Sequence, residues 1–505
     1  MSYSNPILPG FNPDPSIVRV GNDYYMVTST FAYFPAIPVY HSTDLINWRQ
    51  IGNAVSRPDQ LPYEKAPSFG GVWAPTIRYH QGVFYVTAPF HGVGNFIVHT
   101  ADPAGEWSDV IWTEADQGID PSMYFEGDEM YYCVNGGSKR RQQGEPDGIW
   151  LCRMDPQTGK MLGPQQRIWS GTGGGYLESP HLYLIDGWYY IMAAEGGTGF
   201  NHMTTIGRSR HIWGPYENNP GNPILTNRAD SSKQIACSGH SDLVQDPLGN
   251  WWMVHLAVRP SNNLLYHLGR ESFLMPVVWN DGWPQVGKSL LSVETPLITA
   301  GQPRWSFQTD FSHGSAEYPW LFLRHPQAEH YEFRDHSLLL HVSETTLQSE
   351  SGSPTMMLLR PVDLECTFRA TVEPQLQAEG DYTGITAYLT DKFYYQAGIR
   401  RTIASGKPQD VLVLEAHLDS LHHICCQIPC SETRLTLVLC ASAQKMRFEA
   451  ILPSGETFLL GELPTRFLSI DLAGRCFTGT LFGLFAETTA PGSAGAMSVT
   501  EVSLS

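Results

Sequence analysis

The stretch DPSIVRVGNDYYMVTS, residues 14–29, decides the fold, because the chain writes variants of it five times. Each variant opens on a turn-forming start, runs through a short strand-like segment, turns at a glycine and returns through aromatic and β-branched residues. The starts are DPSIVRV at Asp14, APTIRYH at Ala74, DPSMYFE at Asp120, SPHLYLI at Ser179 and HSDLVQD at His240. The returns are GNDYYMVTS from Gly21, QGVFYVTAP from Gln81, GDEMYYCVNG from Gly127, DGWYYIMAA from Asp186 and LGNWWMVHLA from Leu248. The glycine follows its start by 7, 8, 7, 8 and 9 residues, as expected of hairpins that differ only in their turns.

Successive starts lie 60, 46, 59 and 61 residues apart, which is room for about four strands of five or six residues with their turns. A four-stranded unit cannot cover both of its faces alone. Radial stacking of five such sheets covers them, so residues 1–302 are predicted to form a five-bladed β-propeller. Trp48, Trp107 and Trp213, which recur late in three units, are expected to pack between blades. Near residue 300 the composition shifts: twelve of fourteen tryptophans precede it and six of nine cysteines follow it. VETPLITAGQPRW (293–305) reads as a linker, and alternating runs such as SLLLHVS and LTLVLC beyond it predict an antiparallel β-sandwich over 303–505. Helical periodicity is weak throughout, so the fold class is all-β.

Aromatic residues make up 12% of the chain and charged residues only 16%, against about 25% in ordinary soluble domains, which disfavours coiled coil and disorder. A net charge of -18 opposes nucleic-acid binding and favours an uncharged or cationic ligand. No run reaches the roughly 18 apolar residues of a membrane helix. The opening MSYSNPILPGFNPDPS lacks the basic and apolar regions of a secretory signal, and nine cysteines without CxxC spacing agree with reduced thiols. The expected setting is therefore cytoplasmic. Cys425, Cys426 and Cys430 read as packing thiols rather than a metal site.

In a ring of sheets the innermost strands begin near the axis, so equivalent positions converge. Those positions carry Asp14, Trp73 with Ala74, Asp120, Glu178 with Ser179, and His240. A single Asp-Pro is ordinary turn chemistry. Three carboxylates gathered in one depression repel each other, which points to a catalytic site, with a cation site as the structural competitor. No GxSxG, HExxH or P-loop is present, and the glycine-rich stretches GTGGGY (171–176) and EGGTGF (195–200) open no helix, which argues against phosphate binding.

The stretches NPILPGFNPDPSIVRVGNDYYMVTSTF, PVYHSTDLINW, GGVWAPTIRY, GIDPSMYFE, YLESPHLY, AEGGTGF and LGRESFL resemble glycoside hydrolase family 43, in its β-xylosidase branch. GRCFTGTLFGLFA resembles the β-sandwich that these enzymes carry, a concanavalin-like jelly roll. The resemblance implies exo-acting, inverting hydrolysis that releases xylose from short β-1,4-xylo-oligosaccharides, with α-L-arabinofuranosidase activity as the near alternative. More remote alternatives are a non-catalytic sugar-binding propeller and a retaining fructosyl hydrolase or transferase. By motif, Asp14 would be the general base, Glu178 the general acid and Asp120 the acid's modulator. Burial and the charge of Asp120 would keep the proton on Glu178 near neutral pH.

The resemblance further implies Phe31 and Trp73 as apolar walls, Arg270 as a donor to sugar hydroxyls, Thr198 in the lining and Phe477 at the rim. His240 would hold a water or a calcium ion at the base of the channel, or simply pack; no other cofactor is implied. Ser179 stands where many relatives have glycine. The sandwich is expected to stabilise the propeller, narrow the rim or mediate a homo-oligomer.

Overall fold

Glycines that turn each hairpin are the first local feature the backbone bears out. Gly21, Gly82, Gly127, Gly187 and Gly249 all have φ between 59° and 89°, where a β-carbon is strained. The computed structural model describes all residues except 1, 116–117, 138–141, 143, 145–146, 262–264, 296–300, 303–304, 317 and 475. Seven of the thirteen residues of the linker expected at 293–305 lie outside the described residues. Among the described residues, 16–285 contain five four-stranded sheets, each with its strands in sequential order. Their first strands are Ser16–Val20, Thr76–His80, Ser122–Glu126, Glu178–Ile185 and Ala236–Gln245. Each first strand packs against the next, and the fifth packs back against the first. Ser2–Ser4 pairs with Ser292–Glu294, so the chain's beginning ties to the end of this region.

Because the sheets stack face to face, their central strands are buried on both sides and read as continuous apolar runs, as in Val83–Phe90. Trp48 packs with Ile17, Tyr24, Trp252 and Val254 between the first and fifth sheets, and Trp107 is buried with Val86 and Phe96. Trp213 departs from the expectation of burial. It meets Tyr131 of the third sheet edge-on, with ring centroids 6.0 Å apart, but stays 36% exposed because it lies on an outer loop.

The residue two places beyond each repeat start is polar and buried: Ser16, Thr76, Ser122, His181 and Asp242. Side chains two apart on a strand share a face, so these five line the inside of the ring. Three of them, Ser16, His181 and Asp242, join a network with Arg78 and Tyr183. Arg78 donates to both Asp242 oxygens at 2.8 and 3.2 Å, the Tyr183 hydroxyl donates at 2.6 Å and the Ser16 hydroxyl at 2.6 Å. Arg78 also meets His181 Nδ1 at 2.9 Å. The network joins the first, second, fourth and fifth sheets.

Beyond residue 305 an eight-stranded and a six-stranded antiparallel sheet face each other over a core that includes Phe368, Leu437, Phe448, Ile385 and Phe482. The two regions share a second core, in which Phe11, Phe31 and Tyr33 pack with Tyr388, Tyr394 and Phe485. Strand Phe322–Leu323 pairs with Tyr33–Phe34, and buried Arg324 donates from Nε to the Ala66 carbonyl at 2.7 Å. Arg360 Nε donates to the Phe11 carbonyl at 2.6 Å. All nine cysteines are free.

Candidate active site

Asp14, Asp120, Ser179 and His240, four of the five repeat starts, have φ of 56°, 53°, 53° and 51°. A left-handed turn at a non-glycine residue costs free energy and concentrates at functional sites. Here it turns the chain just before the inner strand at Asp14 and Asp120, and at Ser179 and His240 it falls within the strand, where the register shifts; Ala74 is the exception. The residues meet in a cavity of about 420 Å³. All ten residues singled out above line it: Asp14, Phe31, Trp73, Ala74, Asp120, Glu178, Thr198, His240, Arg270 and Phe477.

Asp14 is buried. Its Oδ2 accepts from the Ser29 hydroxyl at 2.5 Å and its Oδ1 from Arg270 Nη1 at 2.9 Å, with His240 Nδ1 3.6 Å away. Burial pushes the Asp14 carboxyl up, but Arg270, then His240, the Ser29 hydroxyl and His202 outweigh it and hold it below the ordinary carboxylate value. Asp120 lies in the opposite environment. Burial, then the charges of Glu178 and Asp14, push it well above the ordinary value, and the Ser179 N–H, donating at 3.2 Å, offsets only part of this. Burial, only partly offset by Asp14, holds His240 below the ordinary imidazole value. His202 is pushed down to about 3 by burial, so both rings are neutral near pH 7.

Arg270 connects the polar and apolar parts of the cavity. Besides Asp14 it reaches Thr198 Oγ1 at 3.4 Å and the Phe477 carbonyl at 3.1 Å. Its guanidinium carbon lies 5.6 Å from the Phe31 ring centre and 5.8 Å from that of Phe477. Phe31 lies 6.0 Å from Trp73 and 6.3 Å from Phe477, so three aromatic rings line one side. Phe477 is the sandwich's contribution. It is carried in on a tight approach: Gly479 lies so close to Leu268 that a β-carbon there would come 2.3 Å from the Leu268 carbonyl oxygen. Tyr176, His202, Ile119 and the glycines 196, 197 and 199 also line the cavity. None of them occupies a repeat start, which is where the sequence reading looked; their signal was adjacency to the motifs YLESPH, EGGTGF and GIDPS.

Calcium takes six to eight oxygen ligands. Beside His240 the carboxylate oxygens are Asp14 Oδ1 and Asp120 Oδ2, at 3.6 and 4.0 Å from its Nδ1, and the first already accepts from Arg270. Two residues along the strand, both Asp242 oxygens are taken by Arg78 and the hydroxyls around it. These carboxylates alone do not make up the oxygen set of a calcium ion; backbone carbonyls and waters would have to supply the rest. Among the described residues, the one group with three ligand atoms within 4.8 Å of one another is Glu415, His417 and His422 in the sandwich. There Arg400 donates to both Glu415 oxygens, at 2.6 and 2.5 Å.

Residues 3–284 match the glycosyl hydrolases family 43 domain, and residues 308–499 match the β-xylosidase C-terminal concanavalin A-like domain. The chain belongs to glycoside hydrolase family 43. A non-reducing end α-L-arabinofuranosidase, BoGH43B of Bacteroides ovatus, is 38% identical over 500 residues, covering 96% of this chain and 91% of that protein. A xylosidase/arabinosidase of Butyrivibrio fibrisolvens is 44% identical over 323 residues, 61% of each chain. The crystal structure of a xylan β-1,4-xylosidase from Bacillus halodurans C-125 superposes with a TM-score of 0.89 at 29% identity, covering 99% of both chains. This family 43 hydrolase is thus an enzyme.

Proposed function

We propose that this family 43 hydrolase is an exo-acting, inverting glycosidase that releases xylose from the non-reducing ends of short β-1,4-xylo-oligosaccharides. In this reading the five sheets are the blades of a propeller whose axis opens into the cavity. The observation that carries the reading is the opposed electrostatics of acids in one cavity. Asp14 is held below the ordinary carboxylate value, whereas burial and the charges of Glu178 and Asp14 push Asp120 well above it. Inversion needs such an arrangement. Asp14, as base, draws a proton from a water that attacks the anomeric carbon, while Glu178 gives its proton to the leaving glycosidic oxygen on the opposite face. Asp120 tunes and orients the acid through its charge and its bond to the Ser179 N–H.

Exo action is supported by the floor. The Arg78–Asp242 network stands two residues along the inner strand from His240, a polar floor that suits a pocket for a terminal sugar better than a groove for a continuing chain. The rings of Phe31, Trp73 and Phe477 offer apolar walls to a sugar ring, and Arg270, Thr198 and His240 offer hydrogen bonds to its hydroxyls. Nine free cysteines support a cytosolic setting, where only imported, short oligomers reach the enzyme.

The second reading is α-L-arabinofuranosidase activity, favoured by the full-length likeness to the Bacteroides ovatus enzyme. Initial rates on nitrophenyl β-xyloside and nitrophenyl α-L-arabinofuranoside separate the two, and an arabinoside rate well above the xyloside rate overturns the first. Proton NMR of the first-formed sugar tests inversion: α-xylose is expected to appear first from a β-xyloside, and β-xylose first would overturn the mechanism.

A further inference from the structure

We propose that Glu195 is a positioning residue for the catalytic acid. It ties the two glycine-rich stretches, GTGGGY and EGGTGF, into one wall that fixes where Glu178 stands at the cavity. The proposal rests on the reading of Glu178 as general acid.

Glu195 ends the strand Trp188–Glu195, whose Ala194 is in register with Glu178, and its side chain is buried. The carboxylate turns back into the preceding loop. Its Oε1 accepts from the Thr172 N–H at 2.6 Å, and its Oε2 accepts from the Thr172 hydroxyl and, at 3.3 Å, from the Gly174 N–H. Only a carboxylate offers two acceptor oxygens and no donor to such a set. The glycines make room for it. A β-carbon at Gly171 would lie 1.9 Å from Oε1, and one at Gly174 would lie 2.9 Å from Oε2 and 2.3 Å from Met203 Cε.

Two consequences reach the cavity. On one side the pinned loop delivers Tyr176, left-handed at φ 51° and 62% exposed, and then Glu178, two residues on. On the other side the residues directly after Glu195, from Gly196 to Gly199, line the cavity. The two sides are bonded to each other, since the Gly196 N–H donates to the Gly175 carbonyl at 2.8 Å. The Tyr176 ring lies over Gly197, where a β-carbon would come within 3.4 Å of it. Glycine-rich stretches that bind no phosphate thereby acquire a purpose: they let one buried carboxylate set the acid's loop against the opposing wall.

The test compares two substrates with the same sugar: xylobiose, whose leaving oxygen needs a proton, and dinitrophenyl β-xyloside, whose leaving group does not. If the arabinosides are turned over faster, the corresponding pair replaces them. For Glu195→Gln, kcat on xylobiose is expected to fall about tenfold or more, within the range of acid catalysis, while kcat on the dinitrophenyl substrate falls less than about twofold. Thr172→Val, a change at an exposed residue that removes only one donor, is expected to show a smaller loss with the same selectivity and keeps the test open if Glu195→Gln does not fold. Equal losses on both substrates, or none on either, overturn the proposal. Glu178→Ala runs alongside. If that variant shows no leaving-group selectivity, the acid assignment itself fails; if it does and the Glu195 and Thr172 variants do not, only the positioning role fails.

Discussion

Asp14 and Asp120 share a cavity, a histidine neighbour and a left-handed backbone, yet their protons are held oppositely. Arg270 donates to Asp14 at 2.9 Å, whereas the charges acting most on Asp120 are those of Glu178 and Asp14. A base must be ionised to work, so kcat/KM is expected to fall only as pH drops through the Asp14 value, which lies below the ordinary carboxylate range. Arg270→Met removes the strongest of the influences that lower it and leaves burial in place. The acidic limb of the kcat/KM profile then moves to higher pH, whatever happens to the maximum rate; a limb that stays put would show that another group sets it. For Glu178→Ala, kcat on xylobiose is expected to fall by about 10² to 10⁴, with part of the rate retained on dinitrophenyl β-xyloside. Uniform loss on both substrates counts against the acid role.

At the scale of the strands, the Arg78–Asp242 pair is the polar tie across the ring. Asp242 is held far below the ordinary carboxylate value, because Arg78 and its other neighbours outweigh burial. A carboxylate depressed in the fold adds stability above its unfolded value and loses it as pH falls through the folded one. Arg78→Met leaves a buried, unpaired charge and is expected to cost about 3 to 5 kcal/mol at pH 7. Burial alone then raises Asp242, so protonation relieves the variant, and the gap in Tm between variant and parent narrows from pH 7 to pH 5. A gap that is constant with pH would mean that the loss is packing rather than charge. The elements themselves were legible because a glycine turn and a shared start recur in every sheet, and the left-handed starts explain why those positions look alike. Part of the network was legible as well: Ser16, His181 and Asp242 stand two beyond their starts, where all five repeats carry a polar residue, a pattern that a search confined to the starts passes over. Tyr176 and His202 were legible only through their adjacency to YLESPH and EGGTGF, because neither occupies a repeat start.

At the scale of the whole molecule, the sandwich completes the cavity as well as packing on it. Phe477 brings a ring to the apolar wall, and its carbonyl accepts from Arg270 Nη2 at 3.1 Å, so one residue lines the cavity with its side chain and holds Arg270 through its backbone. The two services separate on mutation. Phe477→Ala keeps the carbonyl and therefore the Arg270 geometry, so the acidic limb of the pH profile is expected to stay in place. The lost ring removes one wall, and KM for xylobiose is expected to rise about tenfold, equivalent to about 1.4 kcal/mol of binding, with kcat changed much less. Steady-state kinetics across pH check both parts at once. An unchanged KM would make the sandwich a structural partner only, and a moved acidic limb would show that the side chain, rather than the backbone, holds Arg270 on Asp14.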